Sequence, residues 1–376
     1  MDPVAALVAD LVAIDSVNPD LVPGGAGEGA VARFIAGWLA AAGLDVQLEE
    51  VRPGRPNVVA RARGSGGGPT LMLNGHIDTV GVAGMADPHR PRVEGGRLYG
   101  RGAYDMKGGV AACMLAAAAA ARSSLRGDVL LTAVADEEHA GLGTLEAAAR
   151  HRADAAIIAE PTELQLVTAH KGFVWLEVEA RGAAAHGSIP GAPDAILQMG
   201  GMLTELAALN RRLLAAPGHP LLGGGSLHAA LISGGQELSS YPERCLLHVE
   251  RRTVPGETPE GAEAELAAIV ARLAAADPGL RLAVRRGLDR PPMETSADAP
   301  LPALLRRLGA ELLGRPVEVV GVPYWTDAAS LAAAGIPAVL FGPSGAGAHA
   351  LEEWVDLESV RQCAALYTQL IAAYCG

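Results

Sequence analysis

The sequence predicts an α/β protein with a mostly parallel sheet, helices on both of its faces, and a compact α+β insertion. Three observations carry this. First, strand-length apolar runs (Leu71–Leu73, Val129–Ala135, Ala155–Ala159) alternate with helix-length segments, and such uninterrupted runs suit strands buried on both faces. Second, the texture changes at Lys171, where Val174, Leu176 and Val178 alternate with polar or mixed neighbours, and the following elements read β-α-β-β-α-β, the order of a ferredoxin-like unit. Third, the α/β texture resumes beyond the proline-rich exit Arg290-Pro291-Pro292 and Ala299-Pro300. The expected division is 1–170, 171–287 and 288–376, with the outer two segments forming one discontinuous domain.

Taken in order, Asp2 is placed to cap a helix that has Pro3 at its first position and Val4, Leu7, Val8, Leu11 and Val12 on one stripe. Asn18-Pro19 ends that segment. Val31, Phe34, Ile35 and Trp38 mark a second helix closed by Gly43. Strands are expected at 45–51 and 57–63, with Gly64–Gly68 as a hairpin turn to the run at Leu71. Helix 107–122, strand 129–135, helix 143–151 and strand 155–159 complete the first segment. Within the insertion a helix is expected over 194–214, strands at 227–233 and 244–251, a helix from Thr258-Pro259 to Ala276, and a last strand through Leu282 and Val284. Helix 302–313, strand 317–321, helix 327–334, strand 337–341 and a final helix from 358 follow.

Half of the 376 residues are hydrophobic and 19% are charged, which supports a sizeable core and excludes wholesale disorder. A net charge of −12 repels a phosphate backbone and an anionic membrane, so nucleic acid and membrane are not expected partners. The uncharged run Val110–Ala121 is shorter than the roughly 20 residues a bilayer span needs. Asp2 and Asp10 give the N-terminus the wrong charge for a signal peptide, and Cys113, Cys245, Cys363 and Cys375 show no C-x-x-C spacing. A cytoplasmic location is the expectation. No G-x-x-x-x-G-K-[ST] occurs, and Gly100-x-Gly102 lacks the third glycine of a dinucleotide fingerprint.

The residues able to hold a metal all fall just after expected strands: His76 and Asp78, then Glu137 and Glu138, then Glu160, then His349, with Asp105 in the loop before a helix. Ligands of open α/β sheets gather outside the carboxyl ends of the strands. Two histidines and several carboxylates without cysteine suit a dinuclear hydrolytic site, with zinc the expected metal. Asp78, two residues from His76, is placed to hold its other ring nitrogen, and Glu137-Glu138 can divide the work between a base and a ligand.

These residues sit in Asn74-Gly75-His76-Ile77-Asp78-Thr79-Val80, Gly100-Arg101-Gly102-Ala103-Tyr104-Asp105-Met106-Lys107-Gly108-Gly109, Asp136-Glu137-Glu138 and Glu160-Pro161-Thr162, with His349 near the C-terminus. In that order they resemble the M20 metallopeptidase family, which includes acetylornithine deacetylase, succinyl-diaminopimelate desuccinylase, aminoacylase and glutamate carboxypeptidase. The resemblance implies two Zn²⁺ per chain, with Co²⁺ or Mn²⁺ able to substitute, bridged by Asp105. His76 and Glu160 complete one metal, and Glu138 and His349 the other. It further implies Glu137 as general base, Asp78 as the residue orienting His76, His186 as the donor to the tetrahedral intermediate, and Arg252 as receiver of a substrate carboxylate. The insertion becomes a lid and dimerisation domain, and the protein a homodimer acting on a small molecule. Two departures lie near the expected carboxylate pocket: Ser239 stands where the family has Asn, and Glu250 where it has Asp. For Arg252 a strand-edge salt bridge is the competing reading. The implied activity is removal of an N-acyl group from an amino acid or related amine. The alternatives are a carboxypeptidase or dipeptidase of the same fold and a non-catalytic amino-acid-binding relative.

Overall fold

The computed structural model describes residues 2–376, which divide into two compact units: residues 2–168, 295–320 and 326–376 form the first, and Ala169–Glu294 with Gly321–Trp325 the second. The chain runs α1 (Pro3–Val12), α2 (Gly29–Ala41), β1 (Asp45–Arg52), β2 (Arg55–Ala62), β3 (Leu71–His76), β4 (Arg92–Glu94) and β5 (Arg97–Tyr99). A wide turn at Ala103–Lys107 leads into α3 (Gly108–Ala120), then β6 (Val129–Val134), α4 (Leu142–Arg150), β7 (Ala155–Ile158) and β8 (Leu166–His170). The second unit adds β9 (Gly172–Arg181), β10 (Ala185–His186), α5 (Ala195–Ala215), β11 (Ser226–Gly234), β12 (Ser240–Tyr241), β13 (Arg244–Thr253), α6 (Pro259–Ala276), β14 (Leu282–Arg290) and β15 (Met293–Glu294). The chain closes with α7 (Pro300–Leu313), β16 (Val319–Val322), α8 (Ala328–Ala333), β17 (Ala338–Leu340), β18 (Gly345–Ala346), β19 (Trp354–Asp356) and α9 (Leu357–Cys375).

The large sheet of the first unit is mixed. β6, β3, β7 and β17 lie parallel at its centre, while β1 and β2 on one side and β8 on the other pair antiparallel. All residues of β3, β6, β7 and β17 are buried, which is why their sequences read as unbroken apolar runs. α3 packs between this sheet and α9, and its run of small apolar residues is buried on nearly every side. α4 packs on β1, β2 and β6 and against α8.

The expected Gly64–Gly68 hairpin turn is not one. β6 lies between β2 and β3, so those two strands do not pair, and the glycine segment is a crossing connection. Its Ser65 and Gly66 amides donate to the carbonyls of Leu125 and Arg126 at the entry to β6. Strand order across a parallel sheet is a long-range property that turn-forming residues do not report.

In the second unit, β11-β13-β9-β14 form an antiparallel sheet, with consecutive strands in the spatial order 2-3-1-4. α5 and α6 cover one face through Met199, Met202, Leu206, Leu266 and Ile269, which meet Val174, Leu176, Val178, Leu247 and Val249. Asp194 caps α5 by accepting from the Ile196 and Leu197 amides, and Thr258 caps α6. Arg251 is fully buried and held by Glu257 at 2.6 Å and Glu265 at 3.0 Å, so it is structural. No helix among the described residues is long and apolar enough to cross a membrane.

Candidate metal centre

Four parallel strands end at one edge, and each hands a polar side chain to it. β3 ends at His76, β6 is followed by Asp136-Glu137-Glu138, β7 by Glu160, and β17 by the loop to His349. Asp105 joins them from the turn ahead of α3. The close approach of α3 to the Glu160 loop requires a glycine, because a Cβ on Gly109 would stand 2.0 Å from the Ala159 carbonyl oxygen.

Asp105 lies between two imidazoles. Its Oδ1 is 3.0 Å from His76 Nε2 and its Oδ2 is 3.4 Å from His349 Nε2. His349 Nε2 is also 3.0 Å from Glu138 Oε2, and His76 Nε2 is 3.8 Å from Glu160 Oε1. Donor atoms of His76, Asp105 and Glu138 converge within 4.8 Å of one another, as do those of His76, Glu137 and Glu160. Proximity to His76 therefore groups Glu137 with Glu160 and does not by itself divide ligand from base.

The electrostatics follow from crowding anions in a buried place. Burial, then the neighbouring carboxylates of Glu160, Asp327 and Glu138, raise Glu137 well above the usual range despite the His76 charge. Burial also pushes Glu160 up to about 8, with Asp105 and Glu138 adding to the effect. Burial opposes charge on Asp105, but the hydrogen bonds from His349 and His76 hold it well below the usual range. Contacts with Asp105 and Glu138 lift His349 to about 10.

Asp78 is buried and serves four partners. Its carboxylate accepts from Asn18 Nδ2 at 2.7 Å and from the Glu137 and Glu138 amides at 3.1 and 3.2 Å. His76 Nδ1 lies 3.0 Å from the Asp78 carbonyl oxygen and 3.5 Å from its Oδ1. Burial would raise the Asp78 pKa, but the His76 contacts and these N–H donors lower it. Asp78 thus fixes the ring of His76 and the backbone bearing both glutamates.

Glu353 was not singled out by the sequence, although it is the second pillar of the site. It is 1% exposed, and its carboxylate accepts from the Gly102, Tyr104 and Asp105 amides at 3.0, 2.9 and 3.0 Å and from Arg101 Nη1 at 2.7 Å. Asn18, which also donates to Asp136 Oδ1 at 3.1 Å, was likewise missed. The only local signal for Glu353 was a charged residue four positions past His349, indistinguishable from its exposed neighbour Glu352.

The donor set fits divalent cations. Glu138 Oε1 is buried with no hydrogen-bond partner, and Asp105 directs one oxygen at each imidazole, as a bridging carboxylate does. A second acidic group, Asp20, Asp136 and His139, already has its cation: Arg55 contacts Asp20 at 2.6 Å and Asp136 at 3.0 Å.

Residues 72–373 match the model of peptidase family M20/M25/M40. The chain belongs to that family. It is 33% identical to the acetylornithine deacetylase of Myxococcus xanthus over 354 residues, covering 90% of each chain. It is 29% identical to the N-formyl-4-amino-5-aminomethyl-2-methylpyrimidine deformylase of Bacillus subtilis, covering 91% of this chain and 88% of the other. In fold it matches an M20 family metallo-carboxypeptidase from Sulfolobus solfataricus (TM-score 0.79, 18% identity, 100% of this chain and 99% of the other). It also matches a tripeptidase from Staphylococcus aureus (TM-score 0.81, 19% identity, 99% and 98%). As an M20 protein it is a metal-dependent amidohydrolase or peptidase of deacylase type, the family implies a dinuclear metal site, and the His, Asp and Glu groups for one are present.

The remaining residues singled out in this M20 chain lie in the second unit. His186 pairs with Ser240 between β10 and β12, is exposed, and has Nδ1 2.7 Å from Ser188 Oγ. The Ser239 carbonyl accepts from Gly187 at 2.7 Å, so the Ser239 loop abuts the His186 turn. Arg252 stands on β13, a central strand rather than an edge, and donates from Nε to Glu250 Oε1 at 2.7 Å. Its guanidinium carbon is 5.5 Å from the centre of the Phe173 ring.

Proposed function

We propose that this protein is a two-metal deacylase that cleaves the amide bond of an N-acyl amino acid or a related small molecule. The observation that carries the reading is the convergence of His76, Asp105, Glu137, Glu138, Glu160 and His349 at the carboxyl edge of the parallel strands, with Asp105 between two imidazoles. In this reading His76, Asp105 and Glu160 hold one divalent ion and Asp105, Glu138 and His349 the other. Zinc is the metal, with cobalt or manganese able to replace it. When bound, the ions supply Lewis acidity toward the amide carbonyl and acidify an attacking water toward a pKa of ~7.

The chain's own residues do the rest. Glu137, half-buried and raised in basicity, takes the proton of the attacking water and returns it to the leaving amine. Asp78 holds the Glu137 and Glu138 amides and the His76 ring, and Glu353 holds the Asp105 turn. His186, with Ser239 beside its turn, donates to the developing oxyanion, and the terminal amines of Arg252, at the opposite end of β13, receive a substrate carboxylate. His186 reaches the site of a second copy in a homodimer. The apolar, exposed edge strand β11, with Ile232 at 54% exposure, supports self-association.

The deacetylase and deformylase relatives support deacylation over peptide cleavage, since the peptidases are similar in fold alone. The base and every ligand-type residue are present, which disfavours a non-catalytic binder. The test is a screen of the zinc-loaded protein against N-acetyl, N-succinyl, N-formyl and N-carbamoyl amino acids alongside dipeptides. Turnover of the best substrate should fall by ~10²–10⁴-fold in Glu137→Gln while metal content stays at the wild-type level. Loss of metal in that variant would reverse the roles given to Glu137 and Glu138, and faster turnover of dipeptides would favour the peptidase reading.

A further inference from the structure

The sheet of the second unit has one face covered by α5 and α6 and one face open. Phe173 and Trp175 of β9 and His248, Glu250 and Arg252 of β13 project from the open face. The chain has only three Phe and four Trp, yet Phe173, Trp175 and Trp325 form one cluster. The Phe173 ring centre lies 5.4 Å from Trp175 and 6.3 Å from Trp325. Trp175 is 48% exposed, an unusual position for a side chain with so much apolar surface.

Two irregularities shape this face. A bulge between Ala229 and Leu231 of β11 shifts the pairing by one residue, so that Leu231 sits opposite His248 on the open face. A second bulge, between Arg286 and Asp289 of β14, sets Gly287 and Leu288 beside Trp175. Between the bulges lies a shallow, mostly apolar cavity of about 520 Å³. Leu231 is 68% exposed over it.

The cavity borders on Arg252 through one residue. Glu250 lines it and accepts from Trp175 Nε1 at 3.0 Å with one oxygen and from Arg252 Nε at 2.7 Å with the other. The clamp occupies the Nε edge of the guanidinium and leaves its two terminal amines to an anion, the fork that matches a carboxylate. Same-face neighbours on a strand lie about 7 Å apart. Trp175 pairs with Glu250, one such step from Arg252, while Leu231 and His248 form the far wall a further step away, so a carboxylate joined by a short chain to a ring over Trp175 spans the distance.

We propose that the open face is a specificity subsite for the aromatic part of a carboxylate-bearing substrate, with the ring on Trp175, Leu231 and His248 and the carboxylate on Arg252. This rests on the reading of Arg252 given above. An aliphatic ammonium group fits the same place poorly. Glu250 is already engaged by Arg252 and Trp175, and Glu177 faces Arg285 at 3.9 Å, so a cation would leave water for an apolar wall without a free partner.

The test measures binding to the full-length protein by ligand-observed NMR, with propionate, 3-phenylpropionate and 3-phenylpropanamide as probes. In wild type, 3-phenylpropionate should bind about tenfold more tightly than propionate, the scale of one good aromatic contact plus the area it buries. Trp175→Ala combined with Leu231→Ala should abolish that ratio. Trp175→Phe should keep it, because the ring remains while the donor to Glu250 is lost. Neither truncated side chain belongs to the core beneath α5 and α6, and thermal unfolding checks that the core is untouched. Arg252→Ala should weaken both carboxylates and leave the amide unchanged. A wild type that does not prefer the ring, or a ratio that survives the double substitution, overturns the subsite. An Arg252→Ala variant that binds both carboxylates normally while the ring preference persists overturns the carboxylate reading instead. A double variant that alters the oligomeric state without altering the ratio assigns the face to contact between copies and also overturns the proposal.

Discussion

Replacing Glu353 by Gln tests how the Asp105 turn is held. The wild-type carboxylate is 1% exposed and accepts four hydrogen bonds, three from backbone amides and one from Arg101, which is itself 3% exposed. Glutamine keeps the volume but converts one oxygen into an NH₂ donor that must face other donors. Whichever way the amide turns, either the Tyr104 and Asp105 amides or the Gly102 amide and Arg101 lose their acceptor. An unsatisfied buried donor costs ~1–3 kcal/mol, and a buried ion pair stripped of one partner costs ~3–5 kcal/mol. A loss of about 3–5 kcal/mol follows, a large share of the ~5–15 kcal/mol typical of a folded domain. The assay is denaturant unfolding of chelator-treated protein, which removes any contribution from bound metal. As a second readout, the chelator concentration that strips the loaded protein should fall about tenfold, because a residue behind a ligand tunes affinity by ~10–100-fold. A destabilisation below about 0.5 kcal/mol with unchanged chelator resistance would refute the argument.

Other outcomes follow from the same geometry. Metal analysis of protein purified without chelator should give two divalent ions per chain, with one weakened by Glu138→Ala or His349→Ala; no bound metal with full activity in chelator would sink this. Metal uptake by stripped protein should strengthen from pH 6 to pH 8. The reason is that Glu160, raised to about 8 by burial and then by its carboxylate neighbours, still carries a proton at the lower pH that the metal must displace. His186→Ala and Glu137→Ala, each inactive alone, should recover roughly a quarter of wild-type activity when refolded together, since half of randomly paired dimers are mixed and each restores one site of two. A dead mixture in which mixed dimers demonstrably form would place His186 within its own chain or outside the reaction.

Much of this protein was legible in the linear sequence because its signals are local. Continuous apolar runs at β3, β6 and β7 announced strands buried on both faces, and Asp2-Pro3 and Thr258-Pro259 announced helix starts. The residues of the metal centre were legible for a related reason: all but Asp105 follow one of the parallel strands of the large sheet, so sequence position after a strand already meant position at one edge. What the chain alone could not disclose depends on which strand lies beside which. The glycine segment at 64–68 looks like a hairpin turn in any local window, and only the insertion of β6 between β2 and β3 makes it a crossing connection. Glu353 and Glu352 read alike in sequence; burial against the Asp105 turn, some 250 residues away along the chain, makes one of them a four-bond acceptor. Leu231 follows the core-facing parity of Leu227 and Ala229 until the bulge rotates it onto the open face. Hydrophobic period and capping are fixed by neighbours along the chain, whereas strand order, bulges and buried polar partners are fixed by residues that meet only after the chain has folded.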